Sequence, residues 1–148
     1  MRVVLDSNVL VRAVASPHGP AGELFERLCA QHVLISSPEM VVELAKVLDY
    51  QRIRRLHGLS DEQIAEFIDT IETGALLARC PASLPRVVPD DPDDDAVVAT
   101  AIAGAADVIC SRNRHLFHDS VLKYCQKHAV RVLDDLTLLA ELRAREQS

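Results

Sequence analysis

Two apolar rhythms alternate along the chain. Short β-branched runs read as strands: "RVVLD", ending at Asp6, then "HVLIS", "DVICS" and "VRVL". Between them, apolar residues recur three and four apart, the rhythm of an amphipathic helix. In "GPAGELFERLCAQ", Pro20 takes a first helical position and Leu24, Phe25 and Leu28 supply the apolar face. "SPEMVVELAKVLDY" has Ser37 as cap and Pro38 as first residue, and "SDEQIAEFIDTIE" sets Ser60 and Gln63 at capping-box spacing. "DAVVATAIAGA" predicts a helix, "HLFHDSVLKYCQKH" a weaker one, and "DDLTLLAELRARE" a last one capped by Asp134 or Asp135. "ALLARC" fits a strand or a helix tail, while "PASLPRVVPDDPDD", with four prolines, reads as an extended loop. Strands alternating with helices predict an α/β fold: three layers, α/β/α, around a central and mostly parallel sheet.

Composition sharpens this picture. At 148 residues, 49% of them hydrophobic, the chain is long enough for one domain over 1–148 with a core that needs no staples. Aromatics make up 3% and Trp is absent, so the core is aliphatic and a base-stacking platform is disfavoured. The net charge of −6 argues against a broad basic face for nucleic acid. Cys29, Cys80, Cys110 and Cys125 form no C-x-x-C pair and are expected to be buried, reduced thiols. With no signal peptide and no apolar run of membrane-spanning length, the expected location is the cytoplasm, away from membranes.

The chemistry concentrates in "DDPDDDAVVATAIAGAADVICSRN", from Asp90 to Asn113, which opens with five aspartates in six positions. Like charges this close repel, so either they are solvated or a cation gathers some of them. Ligands of open α/β sheets bind beyond the carboxyl ends of the strands. Asp6 sits at such an end, Arg112 and Asn113 follow the end of "DVICS", and Asp93–Asp95 begin the helix leading to it. On a helical wheel, Met40, Val41, Leu44, Val47 and Leu48 share one face. Glu43 falls at the edge of that face, while Glu39 and Lys46 point further into water. Each acid also has a plain structural reading: Asp6, Asp94 and Asp95 as caps, Glu43 as a partner of Lys46. Their conjunction is different, because unpaired carboxylates raise one another's pKa and destabilise the fold. A hard divalent cation, Mg²⁺ or Mn²⁺, removes that conflict.

"VVLDSNVLVRAV", "SPEMVVELAKVL" and "DPDDDAVVATAIAGAADVICSRNRHLF" together resemble the three motif segments of the PIN-domain (PilT N-terminus) family. Within it they resemble the VapC-like toxin ribonucleases of type II toxin–antitoxin systems. The resemblance spans nearly the whole chain. It implies a PIN-like fold and a metal-dependent endoribonuclease leaving 5′-phosphate and 3′-hydroxyl ends. Asp6, Glu43 and either Asp94 or Asp95 would be the catalytic acids holding Mg²⁺ or Mn²⁺. Counting from "DPDD" favours Asp94, and counting back from "AVVATA" favours Asp95. The fourth motif carries Asn113 where the family often has an acid; an asparagine can bind a water or a metal but adds no charge. Implied partners are an RNA substrate, a cognate antitoxin protein and further copies of the chain, as a homodimer or higher homo-oligomer.

Around the acids, Ser7 and Asn8 would orient Asp6 or a water, or else serve as turn residues. Arg112 and Arg114 are candidates for substrate phosphate, and Arg52, Arg54 and Arg55 in "QRIRRLHG" for an RNA track; solvated charge is the alternative for both groups. His115 and His118, three apart with no second Cys/His pair, read as surface histidines. Two rival functions remain. One is a catalytically silent PIN scaffold that binds a partner or nucleic acid. The other is an aspartyl-phosphate phosphohydrolase, which would need an acid where Asn8 stands.

Overall fold

The computed structural model describes residues 1–89 and 91–147. Asp90, one of the five clustered aspartates, lies outside the described residues. The elements run β1 (Arg2–Leu5), α1 (Ser7–Ala15), α2 (Pro20–Gln31), β2 (Val33–Ser36), α3 (Pro38–Asp49), α4 (Gln51–His57), α5 (Asp61–Gly74) and β3 (Leu76–Leu77). A 3-10 turn over Pro92–Asp94 leads into α6 (Asp95–Ala103) and β4 (Val108–Cys110). A second such turn, Arg114–Phe117, precedes α7 (Asp119–Lys127), β5 (Arg131–Leu133) and α8 (Asp135–Glu146).

The strands form one sheet in the order β3-β2-β1-β4-β5, and every pair is parallel. Parallel strands are buried on both faces, and successive side chains go to opposite sides. Val3 and Leu5 join Leu34, Val108 and Cys110 under α1, α2, α3, α5 and α8. Val4 joins Ile35, Ile109 and Val132 under α6 and α7. The architecture is the expected three-layer α/β/α, with a sheet that is wholly parallel.

The predicted caps are present. Ser37 Oγ accepts the Met40 N–H at 3.3 Å, and Asp134 accepts that of Thr137 at 2.7 Å. Ser60 and Gln63 close a full capping box. Two helices carry no expectation from the pattern. The first is α1, whose Val9, Val11 and Val14 suit a strand, yet Asp6 caps it and Val9, Leu10, Val11 and Ala13 are all buried. Tertiary burial outweighs a weak local preference of that kind. The other is α4, which buries no residue and stops at Gly58, where φ is 64° and a side chain would be strained. The cysteines are all free, but Cys29 is exposed and Cys80 half-buried, so only Cys110 and Cys125 meet the expectation of burial.

Strand order decides where a site can form. From β1 the chain moves toward β2 and β3; after α6 it returns to the other side of β1 as β4. The connections leave β1 and β4 in opposite directions, which opens a crevice beyond their carboxyl ends. Asp6 follows β1 directly, and Ser111, Arg112 and Asn113 follow β4. No helix among the described residues is long and apolar enough to cross a membrane.

Candidate active site

Asp6 lies at the bottom of the crevice, 6% exposed. Its Oδ1 accepts the Ser7 N–H at 2.8 Å as the cap of α1, and its Oδ2 accepts the Ser111 hydroxyl at 2.7 Å. Ser111 Oγ also accepts the backbone N–H of Asn113 at 2.9 Å. Asn8 spans the same gap: its Nδ2 reaches Ser111 Oγ at 3.4 Å and Asp6 Oδ2 at 3.5 Å, and its Oδ1 accepts the Arg112 N–H at 3.2 Å. The first turn of α1 and the loop after β4 are therefore one hydrogen-bonded unit around the Asp6 carboxylate.

Asn113 carries the unit across to α6. Its Nδ2 donates to Asp94 Oδ2 at 2.6 Å, while its Oδ1 accepts the His115 N–H at 3.0 Å. The Asp94 carboxyl is pushed up to about 7, first by burial, then by the negative charge of Asp6 and the proximity of Asp91. Burial also raises Asp6, against the lowering effect of the hydrogen bonds from Ser111 and Ser7. Two carboxyls are thus held together against their own repulsion, the condition in which a cation or a proton binds favourably.

Asp94 and Asp95 separate cleanly. Asp95 is 2% exposed and turns away from Asp6. Its Oδ1 accepts the N–H groups of Val87 and Val88, each at 2.8 Å, and Arg86 Nε comes within 2.8 Å of its Oδ2. It anchors the proline-rich loop to α6, whereas Asp94 is the one of the two that is hydrogen-bonded to Asn113. Both of its oxygens face the loop.

A cavity of about 220 Å³ opens from Asp6 toward α3. Glu43 and Glu39 both line it, together with Asp93, Met40, Leu84 and Val97. The wheel places Glu43 correctly, but Glu39 is not turned away: it stands one helical turn before Glu43 on the same wall. Their i, i+4 spacing was the signal for that. Glu43 is exposed and makes no hydrogen bond or ion pair among the described residues. Asp91 Oδ1 accepts the Asp93 N–H at 3.2 Å, and its charge contributes to the shift at Asp94.

No group of three or more His, Cys, Asp or Glu among the described residues stands close enough to hold a metal ion. The charge of Asp6 acts on Asp94, and Asp6 and Glu43 line the same cavity. The fit to a small, hard divalent cation rests on donor chemistry: oxygen ligands only, with two carboxyls raised by their shared burial. The protein presents ligands at an open spacing and not a finished cage.

The basic candidates scatter. Arg112 points its Nε at Asp135 Oδ1, 2.9 Å away. Arg114 is exposed and shares an open cleft with Arg112, Phe117 and Asp134. On α4, Arg54 is bound to Asp49 and Asp61, and neither it nor the exposed Arg52 and Arg55 lines the acidic cavity. The rings of His115 and His118 stack 6.0 Å apart, and neither lines that cavity. Ser111 has no mark in the sequence, since a single serine after a strand carries no signal until its partners are known.

A family model described as PIN domain matches residues 2–115, well over half of the chain. No curated protein matches it in sequence. Among solved structures, the chain is similar to VapBC2 from Rickettsia felis bound to a DNA fragment from their promoter, with a TM-score of 0.61 and 15% identity. That likeness covers 90% of this chain and 98% of the other, and it is a likeness of fold.

Proposed function

Because the chain belongs to the PIN-domain family, we propose that it is a metal-dependent endoribonuclease, the toxin of a toxin–antitoxin pair. The observation that supports this most is the Asp6–Asp94 pair, raised in pKa and fixed by Ser111 and Asn113 at the sheet's switch point. Asp6, Asp94 and Glu43 would hold Mg²⁺ or Mn²⁺. The chemistry supplied by that ion, when bound, is charge neutralisation at a phosphodiester and a lower pKa for water. Ser111 and Ser7 keep the Asp6 carboxylate in one orientation. Asn113 keeps Asp94 beside it and adds no charge of its own. Glu43 and Glu39, exposed on the far wall, can accept the proton of an attacking water, and hydrolysis would leave 5′-phosphate and 3′-hydroxyl ends.

A cognate antitoxin would place a basic side chain in the acidic cavity, since such a group satisfies the same carboxylates as a cation. The test is cleavage of RNA by repurified protein with and without Mn²⁺, alongside Asp6→Asn and Glu43→Gln. Metal-dependent cleavage lost in both variants supports the reading. Cleavage that survives Asp6→Asn refutes it.

A second reading is a PIN scaffold without catalysis, favoured by the open spacing of the acids and by Asn113 in the fourth motif. RNA or partner binding with no cleavage in any divalent ion would select it. The phosphohydrolase reading has less support: Asn8 bonds to Ser111 and to the Arg112 N–H, a structural arrangement that supplies no general acid.

A further inference from the structure

We propose that Arg12 and Arg112, oriented by the buried carboxylate of Asp135, form a phosphate-binding pair that takes the RNA backbone beside the acidic cavity. This rests on the ribonuclease reading and extends it to the placement of substrate.

Asp135 opens α8 and is 0% exposed, so its charge depends on the groups facing it. Arg112 Nε lies 2.9 Å from its Oδ1, and Arg12 Nε lies 3.7 Å from its Oδ2. Both guanidiniums therefore turn the same edge inward. Their side chains remain 38% and 49% exposed, so their outer N–H groups are accessible from solvent. A guanidinium has five N–H donors in a rigid fork, and anchoring the Nε edge leaves the terminal pair available for bidentate contact with phosphate.

The charge balance here differs from that elsewhere. Arg54 has two aspartates; Arg27 and Arg143 share Glu23, and Arg27 also pairs with Glu146; Arg131 has Glu141 and Arg86 has Asp95. At Asp135 two arginines share one buried acid, and Asp134 beside it also acts on Arg112. The Asp135 Oδ2, moreover, has no hydrogen-bond partner.

The location suits a substrate contact. Arg112 stands between Ser111, which holds Asp6, and Asn113, which holds Asp94. Arg12 is six residues beyond Asp6, roughly 9 Å along the axis of α1. An open cleft of about 410 Å³, lined by Arg112, Arg114, Phe117 and Asp134, adjoins the pair and has room for the flanking nucleotide. In a chain of net charge −6, a strand of RNA needs local cations that are not already neutralised.

The test is binding of a single-stranded RNA oligonucleotide, followed by fluorescence anisotropy in Ca²⁺ over a series of salt concentrations. Arg12→Gln and Arg112→Gln should each weaken binding about tenfold and lower the slope of log affinity against log salt by about 0.7, one lost phosphate contact. Arg12→Lys should keep most of the slope. Arg131→Gln, which removes an equal charge at the opposite end of the sheet, should leave the slope unchanged. Gln variants that melt at lower temperature yet bind with the original slope would reduce the cluster to a staple and overturn the proposal. An equal loss of slope in Arg131→Gln would overturn it too, by making net charge the cause. If the unaltered chain neither binds nor cleaves RNA, the ribonuclease reading falls and takes this inference with it. If the unaltered chain cleaves and the variants keep their slopes, this inference alone falls.

Discussion

On one side of the first turn of α6, Asp94 shares its surroundings with Asp6, Asp91 and the Asn113 amide, and its carboxyl is pushed up to about 7. On the other side, Asp95 is more deeply buried and accepts two backbone N–H groups at 2.8 Å, with Arg86 beside it. The residues are identical and adjacent. One holds a charge that the fold leaves in conflict; the other holds a charge that the fold uses. Burial alone therefore does not mark a functional acid. The mark is burial among like charges with too few donors to compensate.

Deleting each carboxylate in turn should give the largest difference between the two aspartates. Asp95→Ala would leave the N–H groups of Val87 and Val88 without acceptors. At about 1–3 kcal/mol for each buried unsatisfied group, the loss of stability should be about 2–6 kcal/mol. Arg86 is 64% exposed, so its share of that loss is small. Asp94→Ala should leave the metal-free protein as stable as before or slightly more so. Urea unfolding of the two variants measures both; equal losses would mean that the two sides do not differ as described.

Little of this division could be read from the sequence. The strands, most helices and the caps follow from periodicity and from residues such as Ser37, Ser60 and Asp134, whose roles are local. Asp6 and Glu43 were legible because a strand end and a wheel face each depend on a single element. Asp94 and Asp95 were not separable, since what distinguishes them is the return of Val87 and Val88 onto α6, a contact made by a loop without periodicity. Ser111 and Arg12 were invisible for the same reason: their partners lie 105 and more than a hundred residues away in sequence. The helix α1 was hidden by its valines.

Divalent ions provide the next test. Mn²⁺ at about a hundred times its dissociation constant should stabilise the protein by about 2.7 kcal/mol. Ca²⁺ should stabilise it as well without supporting cleavage. Asp94→Asn should lose most of the gain, whereas Arg86→Gln, which alters only the surroundings of Asp95, should keep it. Thermal melts with and without each ion give the answer, and a melt indifferent to divalent ions would remove the contrast between the two aspartates.

A smaller effect should appear with pH. The Asp94 pKa is raised in the folded protein, from 3.8 to about 7, so the folded state binds a proton more tightly than the unfolded chain does. Its contribution to stability is complete below pH 3.8 and is lost as pH rises toward 7. Asp6 is raised as well and acts in the same direction. Without metal, stability should therefore decline across that window, and Asp94→Asn should flatten the decline. Saturating Mn²⁺ should oppose it, because the ion competes with the proton for the same oxygens. Denaturant midpoints measured across the window would show it; a profile unchanged by Asp94→Asn would place the titrating group elsewhere.

The finest test of the contrast is Asn113→Asp. Asn113 now donates one hydrogen bond to Asp94 and lowers its pKa against the larger effects of burial and Asp6. An aspartate there removes the donor and adds a further negative charge to the pair. In the metal-free protein this should destabilise the fold, because like charges in a half-buried site repel. With Mn²⁺ the sign reverses, and the added charge should tighten the ion by about 1–2 kcal/mol, the scale of one more charge at partly screened distance. Asn113→Ala separates the two roles of the amide: it loses the grip on Asp94 without adding charge, so it should slow cleavage more than it weakens metal binding. The side-chain oxygen that caps the His115 N–H survives the change to aspartate but not the change to alanine. A drop in stability confined to Asn113→Ala would therefore report the turn and not the site. Calorimetric titration of Mn²⁺ into both variants, paired with their metal-free unfolding curves, resolves these effects. If Asn113→Asp shifts neither quantity, then Asn113 and Asp94 form an ordinary hydrogen bond at a helix start, and the distinction between the two aspartates is one of packing alone.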